Sequence, residues 1–180
     1  MRKLNYSPRP ATDDDLDSVA EIEQQSIRPP WTRAAFAAEL DKKTSRFWVL
    51  TDDETDKNVM AYAVISFPAE QAHLVTFAVH PDFRRAGLGT YLLRRLINYV
   101  MRKGGDSIVL EVRKGNTHAV HMYQSLGFIV IHTIPRFYSD GEDAYSMIFK
   151  AERTMLSGDA EVDFDSDSGD TAGGGKPTLN

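Results

Sequence analysis

The sequence predicts a mixed α/β domain followed by an acidic tail. Segments with apolar residues at helical spacing alternate with short apolar runs typical of strands, and no internal repeat relates them. Their order is two helices, three strands, a helix, a strand, a helix and two strands, which is not a regular βαβ repeat. After about residue 150 the composition changes to Asp, Ser and Gly. We therefore divide the chain into a domain of residues 1–150 and a tail of residues 151–180.

Two helices come first. Residues 13–26 carry three acids in the first turn and then apolar residues at helical spacing, and a Pro-Pro pair stops this helix. Thr32 is a good N-cap for a second helix over residues 33–42.

The other elements follow from alternation and from glycine stops. A strong amphipathic helix is predicted over residues 88–101, ended by Gly104 and Gly105, and a short helix over residues 117–125, ended by Gly127. The predicted strands are residues 47–50, 59–67, 72–80, 107–113, 128–134 and 144–150.

Composition limits the classes of protein and site. The absence of Cys excludes disulfides, thiolate nucleophiles and cysteine-ligated metals. No apolar run approaches the roughly 20 residues of a membrane helix, and the N-terminus does not read as a signal peptide, so we expect a cytoplasmic protein with no membrane contact. The net charge of −5 lies entirely in residues 151–180, which carry two cations and seven anions. We expect this tail to be disordered, and the charge-balanced domain argues against nucleic-acid binding.

The turn before the long helix has the features of a phosphate site. Arg84 and Arg85 precede Gly87 and Gly89, and the turn opens directly onto the helix. The first peptide N–H groups of a helix have no partner within it, and glycines let a phosphate approach them. These residues predict a pyrophosphate cradle, and an ordinary glycine-permitted loop is the alternative.

Three runs of residues carry a family resemblance. They are Arg84-Arg85-Ala86-Gly87-Leu88-Gly89; Leu110-Glu111-Val112-Arg113 with Asn116, Ala119, Tyr123 and Leu126-Gly127-Phe128; and Phe137-Tyr138-Ser139-Asp140-Gly141-Glu142-Asp143-Ala144. Together they resemble the GNAT acetyltransferases. Within that family they are most similar to the RimI-type enzymes, which acetylate the N-terminal alanine of a ribosomal protein.

The resemblance implies a fold and an acetyl donor. The fold is a curved mixed sheet, flanked by helices, that splays between two parallel strands, and acetyl-CoA lies in the opening. No metal is implied. The implied contacts to acetyl-CoA come from the backbone of Phe77, Ala78 and Val79, from the turn residues Arg84, Arg85, Ala86, Gly87, Leu88, Gly89 and Thr90, and from Asn116.

Acetyl transfer to an amine requires a base, because an α-ammonium is mostly protonated at neutral pH. The resemblance implies that Glu111 is this base and that Tyr123 is the acid for the leaving thiolate. We expect burial in an apolar strand to raise the pKa of Glu111, and the Val79 N–H to stabilise the oxyanion. Without the resemblance, Glu111 would be a surface carboxylate paired to Arg113 or Lys114, and Tyr123 a core aromatic. The histidines receive no catalytic role.

Two loops are expected to grip the substrate, and Trp31 and Tyr138 are their aromatic candidates. Glu142 or Asp143 would attract an ammonium group. The alternatives are a hydrophobic staple for Trp31 and a polar hairpin turn for the acids.

The leading hypothesis is a protein N-terminal acetyltransferase whose partner is the N-terminal segment of a protein, with a ribosomal protein expected. Two alternatives stay open. One is acetylation of a lysine or of a small-molecule amine. The other is a non-catalytic module that binds acetyl-CoA.

Overall fold

The fold of this computed structural model is built on one mixed β-sheet. The structure describes residues 5–52, 58–68 and 70–151. The strands are Tyr6–Pro10 (β1), Ser45–Asp52 (β2), Val59–Ser66 (β3), Gln71–Val79 (β4), Ser107–Arg113 (β5), Ile129–Ile134 (β6) and Ala144–Lys150 (β7). Within these residues the strand order is β1-β2-β3-β4-β5-β7-β6, and β4 and β5 form the parallel pair. The predicted mixed α/β class is confirmed.

Helices cover both faces of the sheet. They are Leu16–Ser26 (α1), Arg33–Leu40 (α2), Leu88–Arg102 (α3) and Thr117–Ser125 (α4). α1 and α2 bury their apolar side chains in a core with β2, β3 and β4, and α3 and α4 share a separate core on the opposite face.

Apolar burial holds the long helix in place. Leu92, Leu96 and Val100 recur at helical spacing on α3 and are fully or almost fully buried. A fully buried side chain of this kind contributes roughly 1.5–3 kcal/mol. The pattern that predicted this helix is therefore also what fixes its N-terminus against the sheet.

The first strand was not predicted. β1 contains Pro8 and Pro10, which lack an N–H group and weaken a strand reading of the sequence. β1 lies at the edge of the sheet and pairs on one side with β2, so its prolines leave no gap in the ladder on the other side. The predicted first helix also begins differently, with a 3₁₀ turn over Asp13–Asp15.

A partly buried ion pair explains that turn. Arg9 of β1 donates two hydrogen bonds to the Asp15 carboxylate, at 2.8 and 2.9 Å, and Thr12 donates its backbone N–H to the same group. Burial raises the pKa of Asp15, but the hydrogen bonds from Arg9 and Thr12 outweigh it and hold the pKa below its ordinary value. The acidic run thus fastens β1 to the start of α1.

The parallel strands separate soon after they begin. β4 and β5 pair over three residues each, Gln71–His73 with Ser107–Val109. Beyond these pairs β4 continues to Val79 and β5 to Arg113 without pairing to each other. The two strands therefore leave an opening in the middle of the sheet.

A bulge in β4 lies at the start of this opening. Thr76 pairs with Val64 and Leu74 pairs with Ile65, so Val75 is an extra residue. Leu74 before the bulge and Phe77 after it both pack on the core of α3. They are three residues apart, so in a regular strand they would face opposite sides of the sheet. The bulge thus changes which residues of β4 face that core.

None of the helices among the described residues combines the length and the apolar character needed to cross a bilayer. Ala151, the last described residue, donates its N–H to the carbonyl of Asp106 at 3.0 Å. The rest of the predicted acidic tail lies outside the described residues.

Candidate functional site

The turn before α3 has the shape that a pyrophosphate requires. Gly87 is the N-cap of α3 with a φ of 82°, in the left-handed region, and it offers no side chain to cap the first N–H groups. A Cβ at Gly89 would lie 3.2 Å from side-chain atoms of both Phe77 and Val79. The two glycines therefore leave the N–H groups open and let the helix start press against β4. A phosphate group fits this cradle.

The two arginines of the turn have different surroundings. The Arg84 guanidinium donates to the carbonyl of Val79 at 3.0 Å and to Oγ of Ser26 at 2.7 Å. It thereby anchors the turn to β4 and to the end of α1. Arg85 is exposed and has a φ of 65°, so its side chain is the cation of this pair that can approach a phosphate.

The backbone of β4 points specific groups into the opening. His80 donates its N–H to the carbonyl of Met60 on β3, at 2.8 Å. Because backbone groups alternate along a strand, the N–H groups of Val79 and Phe77 then point away from β3. Those of Ala78 point toward β3. Phe77 and Val79 are therefore the residues of the predicted trio whose backbone can reach a ligand in the opening.

Asn116 is the N-cap of α4. Its side-chain oxygen accepts from the N–H of Ala119 at 3.2 Å. The amide nitrogen of Asn116 is the part of the side chain left for a contact with acetyl-CoA.

Glu111 lies on β5 beside the opening and pairs with a histidine. Its Oε2 is 2.7 Å from Nε2 of His73 on β4. The hydrogen bond from His73 lowers the pKa of Glu111, and it outweighs burial, which raises it; His132 on β6 adds a smaller lowering. The expected rise of the Glu111 pKa is therefore wrong. The alternative pairing with Arg113 or Lys114 is not what the structure shows.

His73 is the partner of Glu111 that the sequence interpretation missed. It lies 38 residues from Glu111 in the chain, and the parallel pairing of β4 with β5 brings the two together. The available signal was its place in a predicted strand, on the face opposite to the buried Ala72 and Leu74.

The ring of Tyr123 lies in the core, as the alternative interpretation of the sequence expected, and its hydroxyl remains available for a further hydrogen bond. Its ring is buried and packs edge-on against Phe128, with centroids 5.6 Å apart. Burial raises the pKa of the Tyr123 hydroxyl, and the neighbouring Tyr138 raises it slightly further. The hydroxyl makes no hydrogen bond to any described residue. It is thus a protonated donor without a protein acceptor.

Arg113 joins the two predicted substrate loops. From β5 it donates to Asp140 at 2.8 Å and to Glu142 at 2.7 Å, both in the β6–β7 loop. Its other terminal nitrogen donates to the carbonyl of Arg28, in the α1–α2 loop, at 2.7 Å. The guanidinium also lies 3.9 Å above the ring of Tyr138. One side chain thus holds both loops and one of the two aromatic candidates.

The remaining substrate candidates have structural partners. Trp31 precedes the N-cap Thr32 and packs against Phe36 at 5.4 Å, which is the hydrophobic staple that was the alternative. The hydrogen bonds from Arg113 and from the Gly115 N–H lower the pKa of Glu142 and keep it ionised within the loop. Asp143 accepts from the backbone N–H of Arg136 at 3.0 Å.

Comparison with known proteins agrees with this geometry. The model of the acetyltransferase (GNAT) family matches residues 16–128. The ribosomal protein bS18-alanine N-acetyltransferase of Escherichia coli K12 is 35% identical over 137 residues, which cover 74% of this chain and 89% of that protein. An uncharacterised N-acetyltransferase of Methanocaldococcus jannaschii is 34% identical over 137 residues, with 76% and 86% covered. An N-alpha-acetyltransferase of Sulfolobus acidocaldarius is 28% identical over 159 residues, with 81% and 93% covered.

The fold agrees as well. The crystal structure of the Escherichia coli ribosomal-protein-S18-alanine N-acetyltransferase matches with a TM-score of 0.74 and 30% identity, over 84% of this chain and 99% of that chain. The predicted curved mixed sheet with two splayed strands is confirmed.

Replacing His73 with Gln tests the origin of the low Glu111 pKa. We expect the pKa of Glu111 to rise, because the hydrogen bond from His73 is lost while burial remains. A carbon-13 NMR titration of the Glu111 carboxyl measures it. His118→Gln, on an exposed position of α4, is the control and should leave this pKa unchanged. An unchanged Glu111 pKa in the His73 variant would contradict the pairing.

Proposed function

Since the chain belongs to the acetyltransferase (GNAT) family, we propose that it transfers the acetyl group of acetyl-CoA to the N-terminal α-amine of a protein. One observation carries the proposal. The base candidate Glu111 lies on β5 beside the opening between β4 and β5, and Arg113 of the same strand ties together the two loops expected on the substrate side. This arrangement suits the end of a chain.

The residues that would hold acetyl-CoA are taken from the family resemblance, and the geometry of the turn and of β4 supports them. The N–H groups at the start of α3, from Gly87 to Thr90, would hold the pyrophosphate together with Arg85. The backbone N–H groups of Phe77 and Val79 would hold the pantetheine arm and the acetyl carbonyl, and Asn116 would contact the pantetheine. When bound, acetyl-CoA supplies an acetyl thioester that is activated for attack by an amine.

The His73–Glu111 pair is the proposed base. An α-ammonium has a pKa near 8 and must lose a proton before it attacks. Glu111 is ionised at neutral pH, so it can accept that proton directly or through one water. Nε2 of His73 lies 2.7 Å from Oε2 of Glu111 and would hold this carboxylate in place for that transfer.

Two further groups complete the reaction. The Val79 N–H points into the opening and would stabilise the negative charge that develops on the acetyl oxygen. The Tyr123 hydroxyl would donate its proton to the departing sulfur. Because burial raises its pKa, Tyr123 carries this proton at neutral pH.

The substrate class is proposed from the relatives together with the loops. The Escherichia coli relative acts on the alanine of ribosomal protein bS18. We propose an N-terminal alanine here as well, and a ribosomal protein as the partner. Tyr138, which Arg113 holds at the β6–β7 loop, would contact the first residues of the peptide.

Acetylation of short peptides tests the proposed function. The full chain is incubated with acetyl-CoA and peptides that differ in the first residue, and the products are identified by mass. The matched control is a peptide with a blocked N-terminus and one internal Lys. We expect acetylation of free N-termini, with alanine preferred, and none of the control. Acetylation of the lysine peptide alone would favour the other amine class, and no transfer to any α-amine would sink the proposal.

Tyr123→Phe tests the acid. The variant keeps the buried ring and loses the proton, so we expect kcat to fall by about 10²-fold, in the range for general acid catalysis. Binding of CoA by calorimetry should stay within about twofold, since the ring packing is unchanged. Tyr91→Phe on α3 is the control. A Tyr123→Phe enzyme with normal kcat would remove this role.

Arg113→Gln tests the tie between the loops. We expect the KM for the peptide to rise by about tenfold, as for the loss of charge-assisted hydrogen bonds, while the KM for acetyl-CoA stays near its original value. Arg33→Gln is the control, because Arg33 also bridges two acids, Asp13 and Asp17, away from the opening. Equal changes in both KM values would contradict a role specific to the peptide side.

A further inference from the structure

A fully buried carboxylate lies between the two halves of the site. Glu23, in the last two turns of α1, has no solvent exposure. Burying a carboxylate is unfavourable unless donors satisfy its oxygens. An apolar side chain at this position would fill a core without that penalty. The partners of Glu23 therefore indicate what the charge does.

One oxygen of Glu23 holds the α1–α2 loop. Oε1 accepts the backbone N–H of Trp31 at 3.0 Å. Trp31 ends this loop, next to the N-cap of α2, and the carbonyl of Arg28 in the same loop accepts from Arg113. The loop on the peptide side is thus fixed at one end by Glu23 and near its middle by Arg113.

The other oxygen of Glu23 holds the sheet beside the acetyl site. Oε2 accepts a hydrogen bond from the Tyr62 hydroxyl and another, at 3.5 Å, from Oγ1 of Thr76. Tyr62 and Thr76 also lie within hydrogen-bond distance of each other, at 3.2 Å. Thr76 directly follows the bulge of β4, and Tyr62 is paired with Ala78. These contacts brace the segment that aims the N–H groups of Phe77 and Val79 into the opening.

We propose that Glu23 is a positioning residue that couples the peptide-side loop to the acetyl-side strand. One carboxylate oxygen fixes the backbone of Trp31 and the other fixes Thr76 and Tyr62. A displacement of the loop would therefore displace the strand as well, and the reverse. Glu23 touches neither substrate nor reacting atoms. The inference rests on the proposed function for naming the loop as the peptide side and the strand as the acetyl side. The contacts of Glu23 do not depend on that function.

The coupling can be measured without any enzymatic activity. Glu23→Gln keeps the shape of the side chain and one acceptor oxygen, and Glu23→Leu removes both. Glu39→Gln is the matched control, because Glu39 is a buried helix carboxylate of α2 that pairs with Lys42 at 2.5 Å, outside this network. Hydrogen exchange of backbone amides is followed by mass spectrometry in residues 27–32 and 76–79.

We expect exchange in both segments to rise together by about tenfold or more in the Glu23 variants and to stay unchanged in Glu39→Gln, as for the loss of a charge-assisted hydrogen bond. In acetyl transfer, Glu23→Gln should raise the peptide KM and lower kcat, with CoA binding within about twofold. Thr76→Val should lower kcat and leave the peptide KM unchanged, because it removes the contact on the strand alone.

Several outcomes would overturn the inference. Exchange that rises in the loop alone or in the strand alone would show that Glu23 does not couple them. Kinetic constants of Glu23→Gln equal to the wild type would deny it a positioning role. If Glu23→Leu does not fold, Glu23→Gln decides the question. A wild-type protein inactive on every peptide but with coupled exchange in the variants would count against the proposed function and leave the coupling in place.

Discussion

The site depends on the separation of two parallel strands. β4 and β5 hydrogen-bond over three residues each and then diverge, which leaves backbone groups of Phe77 and Val79 without partners in the sheet. Unpaired backbone groups are unfavourable inside a protein unless something binds them. The divergence therefore leaves both a space between the strands and backbone donors that face it. The same pairing, just before the strands separate, brings His73 to Glu111.

An opening in a sheet cannot be held in shape by filling it. Apolar packing stabilises the two cores on either side, but side chains packed into the opening would exclude the ligand. The surrounding loops are held instead by directional polar contacts from their edges. Arg113 and Glu23 have this role, because each has partners in two separate elements. Such contacts fix distances without occupying the space between the elements.

Local patterns in the sequence predicted local structure well, and contacts between distant segments poorly. α4, β5 and β7 have the predicted bounds because their periodicity and glycine stops are local signals. The glycine-containing turn before α3 was predictable for the same reason. β1 was missed because prolines argue against a strand unless the strand is known to lie at an edge. The wrong direction for the Glu111 pKa has a similar cause: burial can be read from an apolar strand, whereas a histidine 38 residues away cannot.

Glu23 and Glu111, two of the buried or half-buried carboxylates of the domain, differ in their donors, and this difference separates their proposed roles. Glu23 is held by the Trp31 N–H and by the hydroxyls of Tyr62 and Thr76, which are neutral donors that keep their protons near neutral pH. Such a set fixes a carboxylate in place and offers it no proton to exchange. Glu111 faces the imidazole of His73, and both side chains are partly exposed, at a place where ligands can reach. A carboxylate with a low pKa is a weak base by itself. The proposed base is therefore Glu111 together with the imidazole of His73 at 2.7 Å, rather than Glu111 alone.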